Sequence, residues 1–387
     1  MRTGIAHLPL HGGKAPLWLF LRMKRLAREI IIAIVSEYGP QEMPKRLSDP
    51  FWFQALGCVL GFDWHSSGVT TTTCGALKEG IKGLEKELGL FIAGGKGGTS
   101  RKTPSEIISA GDQLSCDPEK LVYASRMSAK VDSSAVQDGY QLYHHSFIFT
   151  KSGDWAVVQQ GMNDANKYAR RYHWLGSKVT NFVVEPHQAI CCDAKGNTLN
   201  MVATESEEAR QTTVMFSQIK PDTLVGEIKK MQNLRFRNFK PSSAEMLHSV
   251  QHDSVCHSER SEESNLHLPS HHHVDVHDIH PDRLYKIFTK TYESVPKNFE
   301  SLLGTEGVGT KTIRALALIS ELVYGKSPSF NDPVRYSFAH GGKDGHPYSV
   351  DKEVYDSSIE ILRKALKQSK VGNSEKMDAI KRLNCFM

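Results

Sequence analysis

Apolar residues recur at every third or fourth position in the first part of the chain, which is the spacing of helices that bury one face. The pattern covers residues 17–61 and returns over 75–89. Within the first stretch, Ser48-Asp49-Pro50 is a helix start, because an aspartate can accept the first amide hydrogens and proline fits the first helical position. The N-terminal part is therefore predicted to contain several helices.

A strand pattern follows. Aromatic and β-branched residues alternate with other residues in "YQLYHHSFIFTKSGDWAVVQQGM" (Tyr140–Met162), which predicts an antiparallel hairpin with its turn at Ser152-Gly153. A further strand is predicted over "NFVVEP" (Asn181–Pro186). Ahead of the hairpin, Gly89–Ile107 is predicted to be a glycine-rich basic loop that ends in a helix start.

Helical spacing returns after Pro221, but it is interrupted between His248 and His280. The interruption holds nine of the 18 histidines and almost no core-forming residue, which indicates a solvated linker. The predicted fold class is α+β, with a mixed N-terminal domain that contains antiparallel hairpins and an all-α domain after it. The predicted parts are a domain over 1–215, a helical connector over 216–247, a His-rich disordered linker over 248–280 and a helical domain over 281–387.

Composition narrows the class of protein. The net charge of +5 permits a polyanionic partner without requiring one. The seven cysteines are scattered and include no Cys-x-x-Cys pair, which is typical of a reduced intracellular protein. The apolar stretch Leu17–Val35 contains five charged residues, and each would cost about 2.5–3.5 kcal/mol at the centre of a bilayer. We therefore predict a packed helix, no membrane and a cytoplasmic location.

The segment "GTEGVGTKTIRAL" (Gly304–Leu316) predicts a tight turn between two helices, the first capped by Asn298 and the second running to about Tyr324. Gly307 and Gly309 would expose amide groups at the start of a helix, where anions bind. Val308 would lie between the helices, and Lys311 and Arg314 would add positive charge. The alternative is a structural turn between two core helices.

This segment resembles a helix-hairpin-helix motif. The resemblance implies that Gly307, Val308, Gly309, Lys311 and Arg314 bind the DNA backbone without reading its sequence.

Six further stretches resemble a prokaryotic family of proteins, domain-of-unknown-function family 763. The resemblance covers the chain apart from His248–Leu268 and implies a domain plan and a prokaryotic origin, but no particular chemistry. The stretches are "RTGIAHLPLHGGKAPLWL", "FDWHSSGVTTTTCGALKEG", "AKVDSSAVQDGYQLYHH", "WAVVQQGMN", "ARRYHWL" and "FAHGGKDGHPYSVD".

One hypothesis for the chemistry is a base-excision glycosylase with lyase activity, which the resemblance to that superfamily's hairpin implies. Lys311 would attack the sugar C1′ and Asp351, in a Val-Asp context, would deprotonate it. Asp351 lies further from the hairpin than is usual, so Asp344 and Asp332 are alternatives.

A second hypothesis is metal-dependent phosphodiester cleavage in the N-terminal half. Asp132 and Asp138 would hold Mg²⁺ and Lys130 would activate a water molecule. Further polar residues near them are Arg126, His144, His145, Gln159 and Gln160. The competing interpretation is a solvated sheet edge. The sequence identifies no specific cofactor, and a divalent metal is the one that this hypothesis would require.

Two histidine-containing segments add candidates. His271, His272 and His277 could bind a transition metal. The glycine-rich loop "FAHGGKDGHPY" contains Lys343 as a phosphate contact and His340 and His346 as further candidate metal ligands.

Together, the sequence predicts a DNA-binding protein that serves in DNA repair or processing, with glycosylase/lyase-like or nuclease chemistry. The alternative is a non-enzymatic DNA-binding or architectural protein.

Overall fold

The computed structural model describes residues 15–62, 67–192, 195–238, 281–334 and 352–386. The chain forms two compact units. We call Met1–Thr204 together with Ser329–Met387 the sheet unit, and Glu205–Pro328 the hairpin unit. Among the described residues, helices predominate and the strands lie in the N-terminal half, so the predicted α+β class is confirmed.

The helices follow the chain in three groups. The sheet unit begins with α1 Leu17–Tyr38, α2 Glu42–Ser48, α3 Pro50–Val59, α4 Gly68–Ile81, α5 Glu85–Leu88, α6 Thr103–Ser109 and α7 Pro118–Lys130. The hairpin unit consists of α8 Glu207–Ser217, α9 Pro221–Asn238, α10 Pro281–Ser294, α11 Phe299–Gly304 and α12 Thr310–Tyr324. The chain then returns to the sheet unit with α13 Lys352–Gln368 and α14 Asn373–Phe386.

The sheet unit contains a five-stranded antiparallel sheet in the order β1-β3-β4-β5-β6 and a small pairing of β2 with β7. The strands are β1 Leu90–Lys96, β2 Val136–Gln137, β3 Gln141–Thr150, β4 Trp155–Asn163, β5 Tyr168–Leu175, β6 Ala189–Cys191 and β7 Leu199–Asn200.

The predicted hairpin over Tyr140–Met162 is confirmed as β3 and β4. Gly153 sits in their turn with φ +95°, a left-handed conformation that favours glycine. The glycine-rich loop prediction is wrong for residues 90–96, which form the edge strand β1. Gly94 there has φ +86°, and a side chain would overlap the backbone of His145 on β3. The glycine in β1 thus permits close strand pairing.

The strand predicted over Asn181–Pro186 is also wrong. This segment forms turns and bends, because the Asn181 side chain accepts the Val183 amide hydrogen at 2.7 Å. Such an Asx turn competes with strand pairing. The two predicted helix caps are confirmed. The Asp49 side chain accepts hydrogen bonds from the amides of Phe51 and Trp52 at the start of α3, and Asn298 caps α11.

Helices cover both faces of the sheet. α2 and α4 pack on one face, with α1, α3, α13 and α14 behind them, while α6 and α7 pack on the other. The C-terminal helices join this layer because Leu362, Leu366 and Leu383 are fully buried in the same apolar core as Ile30 and Trp52. The range predicted as one helical domain, 281–387, is therefore divided between the two units.

Among the helices in the described part of the chain, none is both long enough and apolar enough to cross a membrane.

Candidate functional site

The turn of the hairpin unit joins α11 to α12 through residues 305–309. Asn298 and Ser301 form a capping box at the start of α11, with the Asn298 side chain accepting the Ser301 amide hydrogen at 2.8 Å. Val308 is 1% exposed, and its amide donates to the Thr305 carbonyl at 3.2 Å. The valine therefore anchors a compact turn that is packed against its own unit.

The two glycines of the turn are less buried than Val308. Gly307 is exposed with φ +89°, and Gly309 is half-buried and extended as the residue before α12. Within the described residues, neither amide hydrogen has an acceptor. Lys311 is exposed, Arg314 is half-buried, and the first turn of α12 contains no acidic residue. The burial of Val308 and the exposure of Gly307 match the sequence-based expectation, while their contact with DNA stays a prediction.

The sheet unit places polar side chains on both faces of its central strands. His145, Gln159 and Tyr172 are in register across β3, β4 and β5. Their neighbours His144, Gln160 and Arg171 form the adjacent register row, and successive strand residues point to opposite faces. All six side chains belong to buried residues. Polar side chains inside a core need partners, and those of Gln159, Gln160 and Arg171 come from other elements of the fold.

The carboxylate of Asp132 is the centre of the first cluster, which we call the Asp132 cluster. Asp132 is fully buried in a π-helical turn (Val131–Ala135) after α7. Its Oδ2 accepts from Gln159 Nε2 at 2.5 Å and from Trp174 Nε1 at 2.9 Å. Its Oδ1 lies 2.5 Å from Nε2 of His187. Three side chains from separate segments thus hold one carboxylate.

The cluster continues from Gln159 to α7. His145 Nδ1 lies 2.8 Å from Gln159 Oε1, and His145 Nε2 lies 2.9 Å from the Ser125 hydroxyl. Because the amide oxygen can only accept, Nδ1 carries the proton and Ser125 donates to Nε2. Burial lowers the pKa of His145, which agrees with a neutral ring.

Arg170 is the centre of a second cluster. Its guanidinium is 1% exposed and donates to both oxygens of Asp332, at 2.8 and 3.1 Å, and to Asp138 at 2.9 Å. The Tyr172 hydroxyl also donates to Asp138, at 2.6 Å. Burial alone would lower the pKa of Arg170, but the neighbouring carboxylates and Tyr172 outweigh it and raise that pKa. The guanidinium also lies over the Tyr140 ring, 4.5 Å from its centroid.

The opposite face of the sheet holds a third cluster around Arg171. Its guanidinium donates to Gln54 Oε1 at 3.1 Å and lies 4.7 Å from the centre of the Phe53 ring. His173 Nδ1 donates to the Leu47 carbonyl at 3.1 Å. Burial lowers the pKa of His144 to about 3 and that of His173 well below its usual range. These histidines are neutral parts of the core.

The structure does not bring the residues of the nuclease hypothesis together. Asp132 and Asp138 belong to separate clusters, each already hydrogen-bonded. Lys130 is half-buried, and burial lowers its pKa. Arg126 is exposed on α7, while Gln160 donates to the Ser67 carbonyl on the other side of the sheet. In the ranges that the structure describes, no three His, Cys, Asp or Glu residues are grouped as a metal site.

The structure describes only two of the residues of the glycosylase hypothesis, Lys311 and Asp332. Lys311 is exposed at the start of α12, and Asp332, one alternative for the aspartate, is buried and paired with Arg170. The remaining candidates lie outside the described residues: Asp344, Asp351, Lys343, His340, His346, His271, His272 and His277.

Sequence reasoning missed His187. His187 lies between residues 181–186 and β6, and the sequence around it contains no pattern that indicates a functional site. Only the fold shows that it meets Asp132, which is 55 residues away in the chain.

One comparison with known proteins identifies a family. The family model described as "Protein of unknown function (DUF763)" matches residues 4–350. No curated protein and no solved structure matches the chain. Since the family model spans most of the sequence, including the central sheet and the turn of the hairpin unit, the chain belongs to the DUF763 family.

Proposed function

We propose that the protein binds the phosphate backbone of DNA through residues 305–309 and the first turn of α12. The observation that supports the proposal is the pair of amides at Gly307 and Gly309, which surround a buried Val308 and have no acceptor within the described residues. A backbone that holds its donors outward in a fixed turn is suited to an anionic oxygen.

The charge distribution favours the same partner. The helix that follows the turn has 15 residues, so its dipole places positive partial charge at Gly309. Lys311 adds a full positive charge in this first turn. Glu306, the acidic residue of the turn, lies 3.0 Å from Lys290 of α10. A DNA phosphate would therefore meet donors and cations at this end of the helix.

Such contacts position a nucleic acid without reading its bases. We therefore expect binding that depends little on sequence and steeply on salt, because released counterions drive it. This matches a role in DNA repair or processing, or that of a non-enzymatic DNA-binding protein.

Gly309→Ala tests the proposal. A Cβ at Gly309 would meet no atom within 4 Å and the backbone there is extended, so the variant should fold normally. The methyl group would instead keep a phosphate from approaching the amides. We expect the Kd for a DNA duplex at low salt, measured by fluorescence anisotropy, to rise about tenfold. This increase corresponds to the loss of roughly one charge-assisted hydrogen bond.

Gly226→Ala is the matched control. Gly226 lies in α9 of the same unit, and a Cβ there also meets nothing within 4 Å. It should leave the affinity unchanged. Equal affinities for Gly309→Ala and the wild-type protein would show that the turn is not the contact, and absence of any binding by the wild-type protein would reject DNA as the partner.

A further inference from the structure

The Asp132 cluster leaves one imidazole nitrogen in an unusual position. The four described histidines are His144, His145, His173 and His187, and the first three are buried. The His187 side chain keeps 7% of its surface exposed. Its Nδ1 makes no hydrogen bond within the described residues, and it is not among the buried polar atoms that lack a partner. Nδ1 is therefore the ring nitrogen that reaches solvent.

The hydrogen bonds around Asp132 fix the state of this ring. Gln159 Nε2 and Trp174 Nε1 can only donate, so both donate to Oδ2. Oδ1 is left to accept from His187, which places a proton on Nε2. A neutral His187 then has its lone pair on Nδ1. A carboxylate that holds the inner nitrogen of a histidine and leaves the outer one basic is the arrangement of a general base.

The ring is also held firmly in place. Its centroid lies 4.6 Å from that of Trp174, edge to face, and 6.3 Å from that of Tyr172. Asp132 itself sits in a π-helical turn, a rare element that is frequent at functional sites. Two residues before His187, Glu185 has φ +41°, a conformation that non-glycine residues adopt at a cost of about 1–3 kcal/mol. Packing and a strained loop together fix the direction of Nδ1.

We propose that His187 is a catalytic general base that activates water for phosphodiester hydrolysis, with Asp132 as its positioning residue. The activity goes beyond backbone binding, and only the choice of a phosphodiester as substrate rests on the proposed function. The site differs from that of the nuclease hypothesis, because the His187 imidazole and not Lys130 activates the water, and Asp132 holds the imidazole and not Mg²⁺.

The reaction balances without a redox partner. His187 Nδ1 takes a proton from water while the water oxygen forms a bond to phosphorus, and the bond from phosphorus to the leaving oxygen breaks. The leaving oxygen then receives the proton from the imidazolium. Water and a diester give a monoester and an alcohol. Asp132 stabilises the imidazolium through the hydrogen bond from Nε2.

The test uses the full chain with bis(4-nitrophenyl) phosphate and, separately, with end-labelled DNA. The small diester does not need the turn of the hairpin unit, so its hydrolysis is independent of the DNA-binding proposal. We expect His187→Gln to lower kcat about 100-fold or more, since general base catalysis contributes 10²–10⁴-fold. Gln188→Ala, a change in the neighbouring half-buried residue, should keep the wild-type rate.

Two further readouts separate a chemical from a structural role. In His187→Ala, added imidazole should restore part of kcat, which a merely structural side chain would not allow. Asp132→Asn should lower kcat with little change in KM. If that variant does not fold, as judged by its thermal unfolding, the rate of His187→Gln and the imidazole rescue of His187→Ala decide.

The inference is overturned if His187→Gln stays within twofold of the wild-type rate, if imidazole restores nothing, or if the wild-type protein hydrolyses neither substrate faster than buffer. Hydrolysis of the small diester with no retention of DNA would support His187 and reject the DNA-binding proposal. Retention of DNA with no hydrolysis of either substrate would support the DNA-binding proposal and reject His187 as a general base.

Discussion

The two units handle polar groups in opposite ways. In the hairpin unit, the candidate site is a run of neighbouring residues, 305–311, in which the amides of Gly307 and Gly309 lack acceptors within the described residues. In the sheet unit, the polar groups point inward and meet partners far along the chain: Arg170 reaches Asp332 over 162 residues. The first arrangement is ready for an external anion, whereas the second is largely satisfied within the fold.

This contrast has physical consequences. Exposed donors and cations act through solvent, so their contribution depends on salt. Buried charges and imidazoles act in a low dielectric, so removing a partner or adding a proton changes the stability of the fold. Two substitutions and one change of pH test whether the sheet unit responds through its stability and the hairpin unit through salt-dependent binding.

The largest effect is expected from Arg170→Met. The substitution keeps much of the side-chain volume but leaves Asp138 and Asp332 buried without their guanidinium. Breaking a buried ion pair on one side costs about 3–5 kcal/mol, and we expect the free energy of unfolding in urea to fall by that amount. Arg126→Met, at an exposed position of α7, should change it by less than about 0.5 kcal/mol. A loss below 1 kcal/mol for Arg170→Met would mean that the cluster is not a closed network.

Acidification should have the next largest effect. Burial lowers the pKa of His144 to about 3, against about 6.5 in the unfolded chain, so below pH 6.5 the unfolded state binds a proton that the folded state does not. His144 therefore contributes full stability above pH 6.5, and the contribution is lost as the pH falls towards 3. Between pH 7.5 and 5.5 this amounts to about 1.4 kcal/mol in the free energy of unfolding.

His145 and His173, whose pKa values burial also lowers, act in the same direction. The measurement is urea unfolding at the two pH values for the wild-type protein and for His144→Gln. The variant should lose about 1.4 kcal/mol less than the wild-type protein on acidification. An identical pH dependence in both would show that His144 is protonated in the fold.

The smallest effect is expected from Lys311→Ala. One phosphate contact fewer should reduce the slope of log K against log salt by about 1 for all DNA sequences alike. The control is Lys326→Ala, which removes the same charge beyond the other end of α12, where Lys326 pairs with Glu208. Equal salt slopes for the two variants would place the DNA contact elsewhere than at the start of the helix.

Features encoded by neighbouring residues could be predicted. The β3–β4 hairpin, the caps Asp49 and Asn298 and the extent of α12 follow from contacts within a few positions of the chain. One prediction failed because a distant partner decided the outcome, and another because a neighbouring side chain did. β1 looked like a glycine-rich loop because its pairing with β3, which its glycines permit, is not visible locally. Residues 181–186 looked like a strand because of their apolar pattern, but the Asn181 side chain accepts the Val183 amide hydrogen and forms a turn there instead.

The candidate sites also differ in how far the sequence alone could predict them. The sequence by itself determined the turn around Val308, since the glycines, the buried valine and the helix start are consecutive and their geometry is set by local backbone preferences. Only the tertiary structure decided that Asp132 meets His187 and that Asp138 meets Arg170. Those pairings arise because the fold brings segments that are remote in the sequence into one core, where polar groups need partners once water is excluded.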